Sequence, residues 1–538
     1  MYPRIPDGRT PVDDTKDRLL RKGDYIHGSF LKPEAVDGYI NGVNPGDRSD
    51  ILGRFPFSES SVDEAVDCAA IGARAWRRIG VIDRVSAVHR FRDHVARFQE
   101  RLARLITREC GKPIWESRQE VLATIRALDL YVDQAPSMLA PRVIEDIGAR
   151  SDRLPRGVAG ILCPYSFPLL VPAVQSAAAL LAGNAAVVKP SKFTPGVGQA
   201  VAELWDRCKL PRGVYNMVQG PGVVVGQRIA LHPGIDVLSF TGSYTTAATI
   251  RQTTLGRHEL PVVMQTGGKG IAVVLDDAEL DRAVYEVMVG AFLTAGQRHN
   301  STGRVIVTAG IYDAFVERLV ARARAIDVGY GFTSDTFMGP LISENLRARY
   351  KRFARQLVAR GHHPLLEEAP DQAPRRGFYA RPAIYAVDWE NGHPFLGDEP
   401  PGPMVLVYKV RGWREAAALH NQAVFRLASA LFTGLENPEL DQIRGRLRTG
   451  ALNINRGTIG ASLRLPSVGL GRSSNGVAAG LGLLHVFTHA RAQLVESRSF
   501  GGMPVLPGTR WEAGGEAPDP PVEDTEEDDL SESLELTS

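Results

Sequence analysis

From Gly157 onward, short unbroken apolar runs alternate with stretches of helical periodicity. GVAGILCPY is a continuous apolar run ending in a turn, LLVPAVQSAAALLAG predicts a helix closed by Gly183, and NAAVVKPSK predicts a second buried strand. GVYNMVQG and IDVLSFTGS repeat the scheme. Strands buried on both faces lose the apolar/polar alternation of a half-exposed sheet, and helices between them make right-handed crossovers, so the pattern predicts a parallel α/β fold. A second series starts near Val262 with GIAVVLDD, a helix from Asp281 to Ala295, the strand RVIVTA and a helix from Tyr312 to Ile326. MGPLISENLRARYKRFARQLVARG predicts a further helix, and PMVLVYKV and LASALFTG predict later strands.

Ahead of these series, residues 1 to 28 are polar and punctuated by Pro and Gly, which predicts an extended arm. A turn at Asn44-Pro45-Gly46 follows, then a helix with Ser60 or Ser61 as N-cap and Asp63 and Glu64 in its first turn. Helical periodicity continues from Arg84 to Arg108, and ITRECGKPIWESRQEV reads as a helix, a break at Gly111-Lys112-Pro113 and a second helix. At the carboxyl ends of strands, where open α/β sheets hold their ligands, fall KPS, TGS and PYSFP.

At 538 residues the chain is too long for one compact core. With 44% hydrophobic and 23% charged residues and no apolar run of membrane-spanning length, it reads as a cytoplasmic globular protein without a membrane partner. Its net charge of +2 hides an asymmetry: eleven of the 61 acidic residues lie between Glu512 and Ser538, a stretch without Lys or Arg, so the rest of the chain is basic. Such a tail predicts disorder, and a basic body leaves open a polyanion partner, with nucleic acid not favoured. The cysteines Cys68, Cys110, Cys163 and Cys208 lie far apart, with neither a disulfide framework nor metal-ligand spacing. No metal site is expected.

Taken in order, GVAGILCPYSFPLLVPA, LLAGNAAVVKPSKFTP, HPGIDVLSFTGS, MQTGGKGIAVVLDDAELDRAV, AFLTAGQR, GDEPPGP and GALNINRGTIGAS resemble the motif series of the aldehyde dehydrogenase superfamily, over about residues 40 to 500. ECGKPIWESRQEV, AGQRHNSTGR and NINRGTIGAS are most similar to the succinylglutamate-semialdehyde and pyrroline-5-carboxylate dehydrogenase types. The resemblance implies a Rossmann-type cofactor domain over 29–255, carrying part of an oligomerisation element near 130–150. It also implies a catalytic-type domain over 256–450, a return to the cofactor domain with an oligomerisation strand over 451–505, and an acidic tail over 506–538. A homodimer or homotetramer and a small-molecule aldehyde substrate, or none, follow from it.

The same resemblance assigns roles. Lys189, Ser191 and Lys192 of KPSK and Gly242-Ser243 of FTGS match cofactor-binding positions, the last at a helix N-terminus suited to a pyrophosphate, and Glu399 of GDEPPGP matches the residue that holds the nicotinamide ribose. NAD or NADP is therefore the implied cofactor; Lys192, where the family often has a glutamate on the ribose 2′-hydroxyl, suits a 2′-phosphate and favours NADP. Pro401 and Ala247 depart from the family's phenylalanine and glycine. The reacting centre departs further. His299 stands at the nucleophilic cysteine's position, Gln265 at the general-base glutamate's and Ser166 at that of the oxyanion-binding asparagine. An amide takes no proton at neutral pH, losing one oxyanion donor costs about a hundred- to thousandfold, and losing a nucleophile costs on the order of a millionfold. Cys163, at the end of its strand, belongs to the cleft wall rather than to the loop facing the aldehyde.

Three functions fit these residues: a catalytically degenerate member of the superfamily, an oxidoreductase of altered chemistry in which protonated His299 serves as general acid for aldehyde reduction, and a non-enzymatic binding module.

Overall fold

The computed structural model describes residues 22–367, 375–389, 395–460, 462–465, 468–496 and 507–508. The arm before residue 22 and almost all of the acidic tail lie outside the described residues. Those described fall into two units, one within Met1–Arg142 and Ser151–Ala492, the other within Val143–Arg150 and Gln493–Ser538. In the smaller unit a single 3-10 turn, Glu145–Ile147, ends at Gly148 in the left-handed region and leaves Val143, Ile144 and Ile147 exposed.

Two seven-stranded sheets organise the larger unit. In the first, Val262–Gln265, Val237–Thr241, Val158–Leu162, Ala185–Lys189 and Tyr215–Met217 lie side by side and parallel. The described end of the expected arm is a strand instead: Asp24–Ile26 is buried and pairs antiparallel with Tyr215–Met217 and with Ser29–Leu31. The continuous apolar runs are explained by cover on both faces. Ala159, Ile161 and Val188 turn into the core made with the helices Val81–Arg97, Ile114–Met138 and Leu170–Leu181, where the rings of Phe91 and Trp205 stack at 3.8 Å. Val158, Leu162 and Val187 turn into the opposite core with the helix Ser60–Trp76.

The second sheet runs His363–Leu366, Ala383–Ala386, Met404–Val410, Thr302–Thr308, Gly270–Val274, Ala428–Phe432 and Ala451–Ile454, all parallel but the first. The strand Val262–Gln265 therefore belongs to the first sheet, beyond the end expected for that part of the chain at residue 255; its apolar run pairs with Val237–Thr241, and the chain crosses to the second sheet only after Gln265.

Two local expectations change. The helix at Ser60 begins after Glu59 and has no side-chain cap, because Ser58 and Ser60 bond each other, and Ser58 also bonds Asp37. The helix expected over Asp281–Ala295 is Leu280–Phe292, broken before Thr294. The break at Gly111 is as expected, with φ +75° between the helices Gln99–Cys110 and Ile114–Met138.

Candidate functional site

The carboxyl ends of the first sheet open on a cleft of about 680 Å³, lined by all nine residues singled out from the sequence: Ser166, Lys189, Ser191, Lys192, Gly242, Ser243, Gln265, His299 and Glu399. That volume lies within the range of small-molecule and cofactor sites.

At one end, Lys189 terminates its strand, and its Nζ donates to Pro190 O at 2.6 Å and Gly220 O at 3.3 Å. Burial disfavours the ammonium and lowers its pKa to about 8, with Lys192 adding repulsion. Lys192 itself is exposed, its Nζ 5.3 Å from the centroid of the Phe193 ring. Across the cleft, Ser243 caps the helix Tyr244–Thr253 by accepting from Thr246 N. Thr245, Thr246, Thr249 and Thr253 of that helix face the cleft with it. Gly222 and Gly226, the first and last residues of a single π-helical turn, line the cleft nearby. A cation pair, hydroxyls and a helix N-terminus make a donor set suited to a phosphorylated ligand.

The other end is built by two chain reversals. After Gln265, Gly267 and Gly268 take φ +68° and +113°. A Cβ on Gly267 would lie 2.8 Å from His299 Cβ, so only glycine lets the two segments meet. The backbone of Gln265 also ties the two ends together by accepting from Gly242 N at 3.1 Å. The second reversal puts Thr294, Ala295 and Gly296 in the left-handed region one after another, at φ +54°, +51° and +66°. For the two non-glycine residues this costs about 1–2 kcal/mol each.

Glu116, 1% exposed, offsets that cost. Its carboxylate accepts from Thr294 N at 3.1 Å, from the Thr294 hydroxyl, and from Arg298 Nη2 at 2.7 Å, while Arg298 Nε donates to Thr294 Oγ1 at 2.9 Å. The Arg298 and Lys112 cations hold the Glu116 carboxyl below its ordinary pKa against the opposing effect of burial, which is the largest single influence on it. Lys112 is matched in turn by Glu120 at 2.5 Å. Both cations stack over Phe167, whose ring meets the His299 ring edge-on at 5.8 Å.

His299 is open to water in the cleft, while protein encloses it on its other sides. That enclosure, and behind it the Arg298 guanidinium, push the imidazolium pKa below its ordinary value, so the ring is neutral at pH 7. Ser166 is 7% exposed. Cys163 carries the only thiol among the described residues lining the cleft, and burial pushes its pKa up to about 12. It is a wall residue, as its place at the end of a strand implied.

Lys269 and Arg349 were not anticipated. The Lys269 backbone N–H donates to Glu399 Oε1 at 3.2 Å, its Nζ donates to Gly402 O, and burial lowers its pKa to about 7. Arg349 Nη2 reaches Glu399 O at 3.4 Å. Arg304, the arginine closing the AGQRHNSTGR motif, is fully buried and holds Phe395 O and Asp398 O, bracing the segment that presents Glu399. Glu116 and Glu120 are two acids one helical turn apart, so they share a helix face; Lys269 and Arg349 left no trace in the sequence.

Two parallel-sheet layers with a cleft at the strand ends define a nucleotide-binding class of α/β protein. Within that class, the model of the aldehyde dehydrogenase family matches residues 31–492, and the chain belongs to that family. It is 31% identical to the alpha-ketoglutaric semialdehyde dehydrogenase of Bacillus subtilis (strain 168), over 84% of this chain and 93% of that protein. It is 34% identical to the N-succinylglutamate 5-semialdehyde dehydrogenase of Burkholderia thailandensis, over 83% and 92%. Among solved structures, an NAD-dependent aldehyde dehydrogenase from Sinorhizobium meliloti superposes with a TM-score of 0.86 at 28% identity, covering 92% of this chain and 98% of that one. The NAD+ complex of an aldehyde dehydrogenase from Bacillus cereus gives 0.82 at 25% identity, covering 89% and 97%. Among the described residues no helix is long and apolar enough to cross a membrane, and none of the His, Cys, Asp and Glu residues form a metal-holding group.

Proposed function

We propose that this chain is a dinucleotide-binding aldehyde dehydrogenase homologue that has lost thiol-dependent aldehyde oxidation. The observation that carries the reading is the content of the cleft among the described residues: the one thiol is the buried Cys163, held protonated, and the one carboxylate is Glu399, which accepts from the Lys269 backbone N–H. Oxidation by the family's route needs a thiolate and a base that activates water. Here His299 presents a neutral imidazole, Gln265 an amide and Ser166 a short hydroxyl at the corresponding positions.

The residues of the other end fit a dinucleotide. Lys189, Ser191, Gly242 and Ser243 would hold its ribose and pyrophosphate, Glu399 its second ribose, and Lys192 a 2′-phosphate, which favours NADP over NAD. When bound, such a group supplies a hydride acceptor or donor. The semialdehyde relatives suggest a semialdehyde as the molecule the remaining pocket would recognise. The exposed Val143, Ile144 and Ile147 support an oligomerisation element in the segment where the sequence placed one.

The general-acid reading of His299 is disfavoured by its electrostatics, since a proton donor must carry its proton at working pH and this ring sheds it. The test is a pair of measurements: dinucleotide binding by calorimetry, and NAD(P)H formation with glutamate semialdehyde, succinylglutamate semialdehyde and simple aldehydes. Binding without turnover is expected. Turnover well above background that disappears in His299→Ala would overturn the reading.

A further inference from the structure

We propose that the cleft favours the reduced dinucleotide, with its neutral nicotinamide ring, over the oxidised one, with its cationic ring, because among the described residues five basic side chains line it against a single carboxylate. The cations are Lys189, Lys192, Lys269, Arg298 and Arg349, and the carboxylate is Glu399. This inference rests on the dinucleotide reading of the cleft.

The two redox forms share their phosphates, sugars and adenine, so Lys189 and Lys192, at the phosphate end, attract both alike. They differ by one unit of charge on the ring, and the surroundings of that ring decide between them. At the end bounded by Gln265, His299 and Glu399, Arg298 is matched by Glu116 and Lys112 by Glu120. Lys269 and Arg349 lie beside Glu399: its Oε1 accepts from the Lys269 backbone N–H, Arg349 Nη2 donates to its main-chain oxygen, and the Lys269 ammonium feels its charge. Gln265 brings no charge where a carboxylate would stand beside the ring, and His299 brings an uncharged imidazole. A cationic ring therefore meets a single carboxylate among the described residues, already set beside the Lys269 and Arg349 cations. One unit charge across several ångströms of a partly solvated cleft corresponds to about a tenfold difference in affinity. Physically, a protein with this bias and no turnover reports the ratio of reduced to oxidised cofactor.

The experiment is equilibrium titration of the full chain with NADPH, NADP+, NADH and NAD+ at low and high salt. The expected result is tighter binding of the reduced member of each pair, by about tenfold at low salt, with the gap narrowing as salt screens it. Gln265→Glu should close much of the gap by returning a carboxylate to the ring end, whereas Lys192→Gln should weaken NADPH and NADP+ by the same factor. Should Gln265→Glu fail to fold, His299→Asp adds the same charge from the opposite loop. Equal or tighter binding of the oxidised forms by the unaltered protein overturns the inference, as does a gap that survives the added carboxylate in a folded variant. Saturation by none of the four nucleotides overturns the dinucleotide reading itself, a different and recognisable outcome.

Discussion

The two ends of the cleft carry different chemistry. At the phosphate end, a strand-terminal lysine, a capped helix N-terminus and a glycine-rich turn present the groups that binding an anion requires. At the other end the scaffolding is just as elaborate: a left-handed turn clamped by Glu116, a glycine that only a close approach to His299 explains, and a buried arginine bracing the Glu399 segment. Yet the side chains it holds out are an imidazole, an amide and a hydroxyl. A loop can thus be specified in full by residues that never touch a substrate. The turn is shaped by the Glu116 carboxylate, the Arg298 guanidinium and the glycines, not by the side chains of His299, Gln265 and Ser166.

The sharpest way to break this comparison is to put the chemistry back. In His299→Cys, Gln265→Glu, Ser166→Asn, an intact scaffold should yield aldehyde-dependent NAD(P)H formation at least about a thousandfold above the parent, given what such groups contribute. A variant that folds and binds dinucleotide while remaining inert would show that the reacting end has decayed beyond its three substitutions. Removing the clamp tests the opposite side of the argument. Glu116→Ala leaves the partly buried Arg298 cation without its carboxylate and frees Thr294 from its helix-borne partner, so it should cost about 2–3 kcal/mol in urea denaturation. A loss under 1 kcal/mol would mean that the left-handed turn is held by something other than that carboxylate.

Much of this was legible in the sequence, for a physical reason. Strands covered on both faces must be apolar throughout, so runs such as VAGIL and AAVVK announce themselves, and the glycines at the strand ends mark where the chain turns towards the cleft. Seven of the nine candidate residues sit at or just after those ends, whereas His299 and Glu399 reach the cleft from segments that precede strands of the second sheet. What was not legible is non-local. The helix ending at Phe292 reads as helical through Ala295, since local propensity favours it; the left-handed turn prevails because Glu116, far off in the chain, accepts its N–H and hydroxyl. Lys269 and Arg349 converge on Glu399 from two further segments, and no spacing in the sequence records their meeting. The boundary expected at 255 failed similarly: Val262–Gln265 is an ordinary apolar run, and only its pairing partner assigns it to the first sheet.

The phosphate end can be sharpened by its specificity. Lys192 is exposed, its ammonium over the Phe193 ring, so Lys192→Glu should lower the affinity for NADPH about tenfold relative to NADH by setting a carboxylate against a 2′-phosphate. An unchanged ratio would remove Lys192 from the ribose.

The smallest effect is the dependence on pH, and its sign distinguishes ligand binding from folding. Burial lowers the pKa of Lys189 to about 8 and of Lys269 to about 7, both far below the ordinary value for lysine. An anionic ligand binds the charged forms better, so dinucleotide affinity should fall a few-fold as pH rises from 6 to 9 and these two cations are lost. Folding responds in the opposite direction. Between the lowered pKa values and the unfolded chain's value near 10, the unfolded state holds protons that the folded state has released, so the lysines' contribution to the stability of the ligand-free protein rises with pH. Calorimetric titrations and urea midpoints over the same pH range separate the two. If Lys269→Met leaves both slopes unchanged, the buried ammonium is not what the cleft's electrostatics turn on, and the contrast between its two ends would rest on the neutral side chains alone.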